Sequence, residues 1–119
     1  MNIGIIGCGL IGNKRALNVD RTDNILIVCD SDIKKAKKLS NQLNCSYTKN
    51  YEEVLNFKGI DLVIICTPNY LIKEVALRAL KKKLHVLSEK PLGKNVIESK
   101  EIFQCAQSNN RVIYTGFNH

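Results

Sequence analysis

A glycine turn set between an apolar segment and a helix is the feature that most restricts this chain. Asn2-Ile3-Gly4-Ile5-Ile6 runs directly into Gly7-Cys8-Gly9-Leu10-Ile11-Gly12, and a second apolar run, Ile25-Leu26-Ile27-Val28-Cys29, ends on Asp30. Strand, Gly-x-Gly-x-x-Gly, helix, strand and acid in that order describe a βαβ unit of a parallel sheet, and they meet the context a dinucleotide fingerprint requires. Each glycine has a distinct task. Gly7 permits the tight turn off the first strand, Gly9 allows a pyrophosphate to approach the backbone, and Gly12 lets the helix pack close to the sheet. Leu10 and Ile11 complete the loop, and the helix it opens presents free N–H groups and a positive dipole end to phosphate. Asp30 falls where a carboxylate accepts from ribose hydroxyls, with Ser31 beside it.

The same alternation continues to the end of the chain, which predicts an α/β, doubly wound parallel sheet of about six strands with helices on both faces. Asp32 is placed to cap a helix through Leu43 that carries Ile33, Ala36, Leu39 and Leu43 on one stripe. A short strand is expected at Cys45-Ser46-Tyr47, and Asn50 and Glu53 have capping-box spacing ahead of a short helix. Asp61 to Cys66 is a continuous apolar run, as expected of a strand buried on both sides. Ile72, Val75, Ala76, Ala79 and Leu80 stripe the next helix, and His85-Val86-Leu87-Ser88 form the fifth strand. A helix from Asn95 to Asn109, burying Ile102, Phe103 and Ala106, precedes a sixth strand at Arg111 to Thr115. Residues 1–119 are read as a single dinucleotide-binding domain of the Rossmann type, with roughly two-thirds of its unfolded surface buried.

Composition narrows the function classes. No apolar run approaches the roughly 20 residues that span a bilayer, and the N-terminus has no signal-peptide pattern, so a cytoplasmic, membrane-free protein is expected. Cys8, Cys29, Cys45, Cys66 and Cys105 are odd in number and widely spaced, which argues for reduced thiols and against a disulfide framework or a metal site. The net charge of +7 raises nucleic acid as a partner, but the lysine runs Lys34-Lys35, Lys37-Lys38 and Lys81-Lys82-Lys83 lack the interleaved aromatics of a stacking platform. They read as solvated outer helix faces, whose charge also favours anionic cofactors and substrates, and Lys34 and Lys35 lie close enough to Asp30 for a cation there to accommodate a 2′-phosphate in part.

In an open parallel sheet, ligands bind beyond the carboxyl ends of the strands. The glycine loop, Thr67-Pro68-Asn69 after strand four and Glu89-Lys90-Pro91 after strand five therefore converge. Thr67 and Asn69 offer hydrogen bonds to ribose or phosphate, while Pro68 fixes the backbone. The same tripeptide also suits a plain helix start, and one residue can serve both roles. Lys90, leaving a buried strand between Glu89 and Pro91, is placed to stabilise charge on a substrate oxygen, although a surface Glu–Lys pair closing a strand end is the stronger reading of the tripeptide taken alone.

Taken together, these motifs resemble the glucose–fructose oxidoreductase / inositol dehydrogenase / MocA family (Gfo/Idh/MocA) along the whole chain. The carrying residues are the Gly7 to Gly12 loop, Cys29-Asp30-Ser31, Thr67-Pro68-Asn69 and, most specifically, His85-Val86-Leu87-Ser88-Glu89-Lys90-Pro91-Leu92. Gly116-Phe117-Asn118-His119 resembles the family's passage into a second domain. The resemblance implies NAD as cofactor, with NADP as the alternative, and Lys90 as the active-site lysine near the nicotinamide. It also implies that Asp30 binds the adenosine ribose, and that Thr67, Pro68, Asn69 and Glu89 line the cleft. Two departures stand out. The family's histidine three residues after the asparagine is Ile72 here, and the family's substrate domain with its catalytic histidine has no counterpart; neither His85 nor His119 matches it.

The expectation is the cofactor half of an oxidoreductase that exchanges hydride between a nicotinamide and a sugar-like or polyol substrate, with homo-oligomerisation an open option. A non-catalytic dinucleotide-binding module or truncated gene product is the alternative. A methyltransferase, which also places a glycine loop and an acid on its first two strands, is disfavoured by Glu89-Lys90-Pro91.

Overall fold

The computed structural model describes residues 1–7, 9, 23–67, 69–89 and 96–116. Within them six parallel strands form one sheet: β1 (Asn2–Ile6), β2 (Asn24–Cys29), β3 (Ser46–Thr48), β4 (Leu62–Ile65), β5 (His85–Glu89) and β6 (Ile113–Gly116), in the order β3-β2-β1-β4-β5-β6. The helices are α1 (Ile33–Leu43), α2 (Tyr51–Leu55), α3 (Asn69–Lys81) and α4 (Val96–Ser108). This is the doubly wound order, in which the chain winds outward from β1 in one direction and from β4 in the other. The expected helix after the glycine loop falls outside the described residues.

The two-residue pleat of the central strands divides the core. Ile3, Ile5, Val28, Leu62 and Ile64 meet Ala36 and Leu39 of α1 on one face. Ile6, Ile27, Cys29, Val63, Ile65 and Val86 meet α2, α3 and α4 on the other. All four residues of β4 are buried, which accounts for its unbroken apolar run. The predicted stripe of α3 is fully buried from Ile72 to Leu80. At about 1.5–3 kcal/mol for each large aliphatic side chain, that stripe anchors the helix more strongly than capping does.

Local signals explain the helix ends. Asp32 caps α1 by accepting from the Lys34 N–H at 3.1 Å, and Asn44 closes it in the left-handed region at φ 58°. Asn50 caps α2 through the Glu52 N–H at 3.0 Å. The capping box expected there is relayed rather than direct: the Thr48 hydroxyl accepts from the Asn50 N–H and donates to Glu53 Oε1 at 3.0 Å.

Two residues assigned to buried stripes are exposed. Phe103 is 50% exposed, while Ile102 and Ala106 are buried. Successive helical residues point about 100° apart, so a helix seated through Ile102 and Ala106 turns Phe103 aside. Ile33 is 41% exposed. It opens α1 only four residues after β2 ends, so its turn projects past the carboxyl edge of the sheet. His85 serves the sheet, its Nδ1 accepting from the Val112 N–H at 3.0 Å.

Candidate dinucleotide site

The strand order reverses at β1 and β4, and a cleft of about 380 Å³ opens beyond their carboxyl ends. Clefts at such switch points are where doubly wound sheets bind their ligands, and the volume lies in the range of small-molecule sites. Gly7 and Gly9 come from β1, Asp30 and Ser31 from β2, and Thr67 from β4; all five line the cleft. The structure thus brings together sequence-predicted residues separated by up to sixty positions.

The two glycines described differ in what they permit. Gly7 has φ +98°, and a Cβ there would lie 2.7 Å from the Cys66 carbonyl oxygen and 2.8 Å from its carbon. Those atoms are held in place, because the Cys66 N–H donates to Ile6 O and the Gly7 N–H to Cys29 O, each at 2.7 Å. Gly7 is therefore required by the crossing of β1, β2 and β4. A Cβ on Gly9 would meet nothing within 4 Å. Its bareness serves no packing need within the described structure, so the Cβ position is not filled by a described residue.

Asp30 is anchored at both ends. Its N–H donates to Thr48 O at 3.2 Å, and its Oδ1 accepts from the Asp32 N–H at 2.8 Å. These bonds set the carboxylate at the mouth of the cleft beside Ser31. Behind it, burial, then the Asp30 and Glu53 charges, push the Cys29 thiol up to about 12. That cysteine is a packing residue rather than a nucleophile. Thr67 presents the opposite situation. Its Oγ1 is the one buried side-chain oxygen or nitrogen among the described residues that lacks a hydrogen-bond partner. An orphaned hydroxyl in the wall of a cleft marks a place where a ligand can supply the missing bond.

Leu10, Ile11, Gly12, Pro68 and Lys90 lie outside the described residues, as do the side chains of Asn69 and Glu89. Ile72 is 1% exposed within the core formed by α3 and the sheet, so this position offers the cleft no polar group. Lys35, Lys49, Tyr51 and Leu71 also line the cleft. Lys35, which the sequence sets near Asp30 as a cation for phosphate, stands in the first turn of α1 and lines the cleft. Lys49 follows β3 directly, and the strand-end rule applied to this short strand would have found it. Burial, then the Glu74 carboxylate, raises the Tyr51 phenol above its ordinary range. Among the described residues there is no helix long and apolar enough to cross a membrane, and no metal-binding cluster of His, Cys, Asp or Glu.

Comparison with known proteins agrees with this geometry. Residues 1–117 match the model of the oxidoreductase family with an NAD-binding Rossmann fold, Gfo/Idh/MocA. The chain is 35% identical over 93 residues to the 2,7-anhydro-N-acetylneuraminate hydratase of Escherichia coli, covering 78% of this chain and 25% of that protein. It is 27% identical over 121 residues to the myo-inositol 2-dehydrogenase of Thermotoga maritima, covering 99% and 36%. Among solved structures, biliverdin reductase from Synechocystis, in complex with biliverdin and NADP⁺, superposes with a TM-score of 0.89 at 25% identity, covering 96% of this chain and 37% of that one. The chain thus spans between a quarter and 37% of the length of these relatives. The match along nearly the whole chain, on a sheet of the doubly wound order, shows that this protein belongs to the Gfo/Idh/MocA oxidoreductase family and forms its NAD-binding Rossmann domain.

Proposed function

We propose that the cleft binds NAD(H), and that the chain is the cofactor half of an oxidoreductase acting on a carbinol carbon of a sugar-like or polyol substrate. One conjunction carries this reading: a glycine whose Cβ position no described residue fills, an anchored carboxylate and an orphaned hydroxyl meet at a single switch point. Gly9, with Leu10, Ile11 and Gly12, would hold the pyrophosphate, and Asp30 and Ser31 the adenosine ribose. Thr67, Pro68, Asn69 and Glu89 would line the remainder, with Thr67 reaching a ligand by rotation about χ1. The nicotinamide, when bound, supplies the hydride acceptor or donor. Lys90 would stabilise the charge that develops on the substrate oxygen and exchange its proton. A separate α/β domain would supply the substrate pocket, and the odd, widely spaced cysteines support a cytoplasmic setting.

Titration with NADH, followed by its fluorescence, tests cofactor binding. Saturable binding is expected, and its absence up to millimolar concentrations would refute the proposal. The 119-residue chain alone should show little turnover of polyols. Joined to a substrate domain, Lys90→Ala should lower kcat by about 10²-fold, and Lys90→Arg should not restore it, since guanidinium keeps its proton.

A second reading has its own support, because the 35% identical relative is a hydratase. Addition of water is redox-neutral overall, so a cofactor used in such a reaction must return the hydride it removes. The two readings separate on one measurement: net NADH accumulation with substrate favours the dehydrogenase, and turnover without accumulation favours the hydratase.

A further inference from the structure

We propose that the edge of the sheet at the amino ends of its strands, opposite the dinucleotide cleft, docks an acidic peptide segment of a partner protein. In a parallel sheet the helix-to-strand turns all fall at this edge, and β4, β5 and β6 are neighbours in the sheet order. Their three turns carry Lys58, the run Lys81-Lys82-Lys83, and Arg111. Adjacent strands lie about 4.8 Å apart, so these cations stand in one row roughly 10 Å long at the backbone. The four lysines are exposed. The same turns hold a single carboxylate, Asp61, which accepts from the Asn2 N–H at 2.9 Å.

The row is fastened without being neutralised. Lys82 Nζ donates to Asn56 Oδ1 at 2.6 Å and Lys83 Nζ to Asn109 Oδ1 at 2.7 Å, so each bridges its own turn to the next. Arg111 Nε donates to Lys83 O at 2.5 Å, and its Nη1 to Asn110 O at 2.8 Å. Every one of these acceptors is a neutral oxygen. Elsewhere Lys73 is paired with Glu101 at 3.1 Å, and Arg78 with Glu52 and Glu74, but no cation of the row pairs with a carboxylate among the described residues. An ammonium has three donors, so Lys82 and Lys83 each keep two for a partner on a side chain that is already ordered. Completion of the helix dipoles does not require the row, since α1 and α4 have no basic residue in their last turns.

The chemistry selects carboxylates. Phe57, the one aromatic residue of the three turns, packs against the core, so the row has no platform for stacking bases. The Arg111 fork is spent on two backbone carbonyls, which removes its bidentate grip on a phosphate. An extended peptide presents alternate side chains to one side every roughly 6.8 Å, so two or three acidic residues span a row of this length. Val112, 44% exposed beside Arg111, adds an apolar contact.

The test follows the fluorescence anisotropy of a fluorescein-labelled Ser-Glu repeat peptide of about twelve residues, titrated with the 119-residue chain at about 50 mM salt. Saturable binding is expected, weakened about tenfold or more at about 300 mM salt. The combined variant Lys82→Gln, Lys83→Gln and Arg111→Gln should raise the dissociation constant about tenfold or more, because glutamine keeps a donor and removes the charge. A variant with the same charge loss elsewhere, Lys37→Gln, Lys38→Gln and Lys100→Gln, should stay within about twofold of native. NADH affinity, read at the opposite edge, should be native in both. Lys82→Gln and Lys82→Glu alone should weaken peptide binding in that order, and they decide the matter if the combined variant does not fold. No saturable binding up to millimolar concentrations, or an equal loss in the two combined variants, would overturn the proposal. So would duplex DNA or phosphatidylserine vesicles binding about tenfold more tightly than the peptide, or a dimer in sedimentation that the edge variant abolishes.

Discussion

Alanine at Gly7 and at Gly9 should have opposite consequences, although the two glycines belong to one motif. At Gly7 the new Cβ would stand 2.7–2.8 Å from two backbone atoms of Cys66, at φ +98°. Holding a non-glycine residue in that backbone region costs about 1–3 kcal/mol, and overpacking against immobile neighbours adds roughly another 1–3. The neighbours are immobile because Cys66 follows the central strand β4 and its N–H is bonded to Ile6 O at 2.7 Å. A domain of this length has about 6–18 kcal/mol of stability in all, so Gly7→Ala should remove a large share of it. At about 4 °C per kcal/mol, the thermal midpoint should fall by roughly 8–24 °C. At Gly9 the Cβ would meet no described residue within 4 Å, so the midpoint should move by no more than about 2 °C. The methyl would instead occupy the approach of the pyrophosphate, weakening NADH binding about tenfold or more. Thermal unfolding followed by circular dichroism and an NADH fluorescence titration measure both effects on the same samples. A Gly7→Ala midpoint within 2 °C of the native protein would refute the steric argument, and unchanged NADH affinity in Gly9→Ala would refute the ligand argument.

Thr67→Val should leave the thermal midpoint unchanged or slightly raised, because it removes an orphaned hydroxyl at nearly constant volume, while NADH affinity falls by roughly three- to tenfold. Equal affinity in the variant would show that Thr67 serves only the start of α3. Cys29 should resist iodoacetamide in the native protein up to pH 9 and react readily in denaturant, since its thiol is buried and pushed up to about 12; rapid native alkylation, located by peptide mass, would contradict this. The same shift has a sign for stability. Above the ordinary thiol value of 9.0 the unfolded chain releases the Cys29 proton and the folded chain keeps it, so this contribution is intact below about pH 9 and declines from there toward 12. Cys29→Ala should flatten that alkaline decline in denaturant unfolding measured across this range.

The order of elements was legible in the sequence because burial in a doubly wound sheet leaves strong local marks. The all-buried β4, the α3 stripe from Ile72 to Leu80, and the caps Asp32 and Asn50 appear where periodicity and capping chemistry place them. The site was legible for a related reason: Gly7, Gly9, Asp30 and Thr67 each follow a strand, and strand ends in a parallel sheet converge on one edge. What sequence could not supply were the relations between elements. Phe103 and Ile33 carry the hydrophobicity of a buried stripe, but how a helix rolls and where it overhangs the sheet depend on its neighbours. That Gly7 is pressed against Cys66 follows from the approach of β4, more than fifty residues away. Lys49 looks in the sequence like any other surface lysine. Only the pairing of β3 with β2 brings Lys49 to the cleft beside Asp30, because a side chain's partners across a sheet are set by strand order and register rather than by distance along the chain.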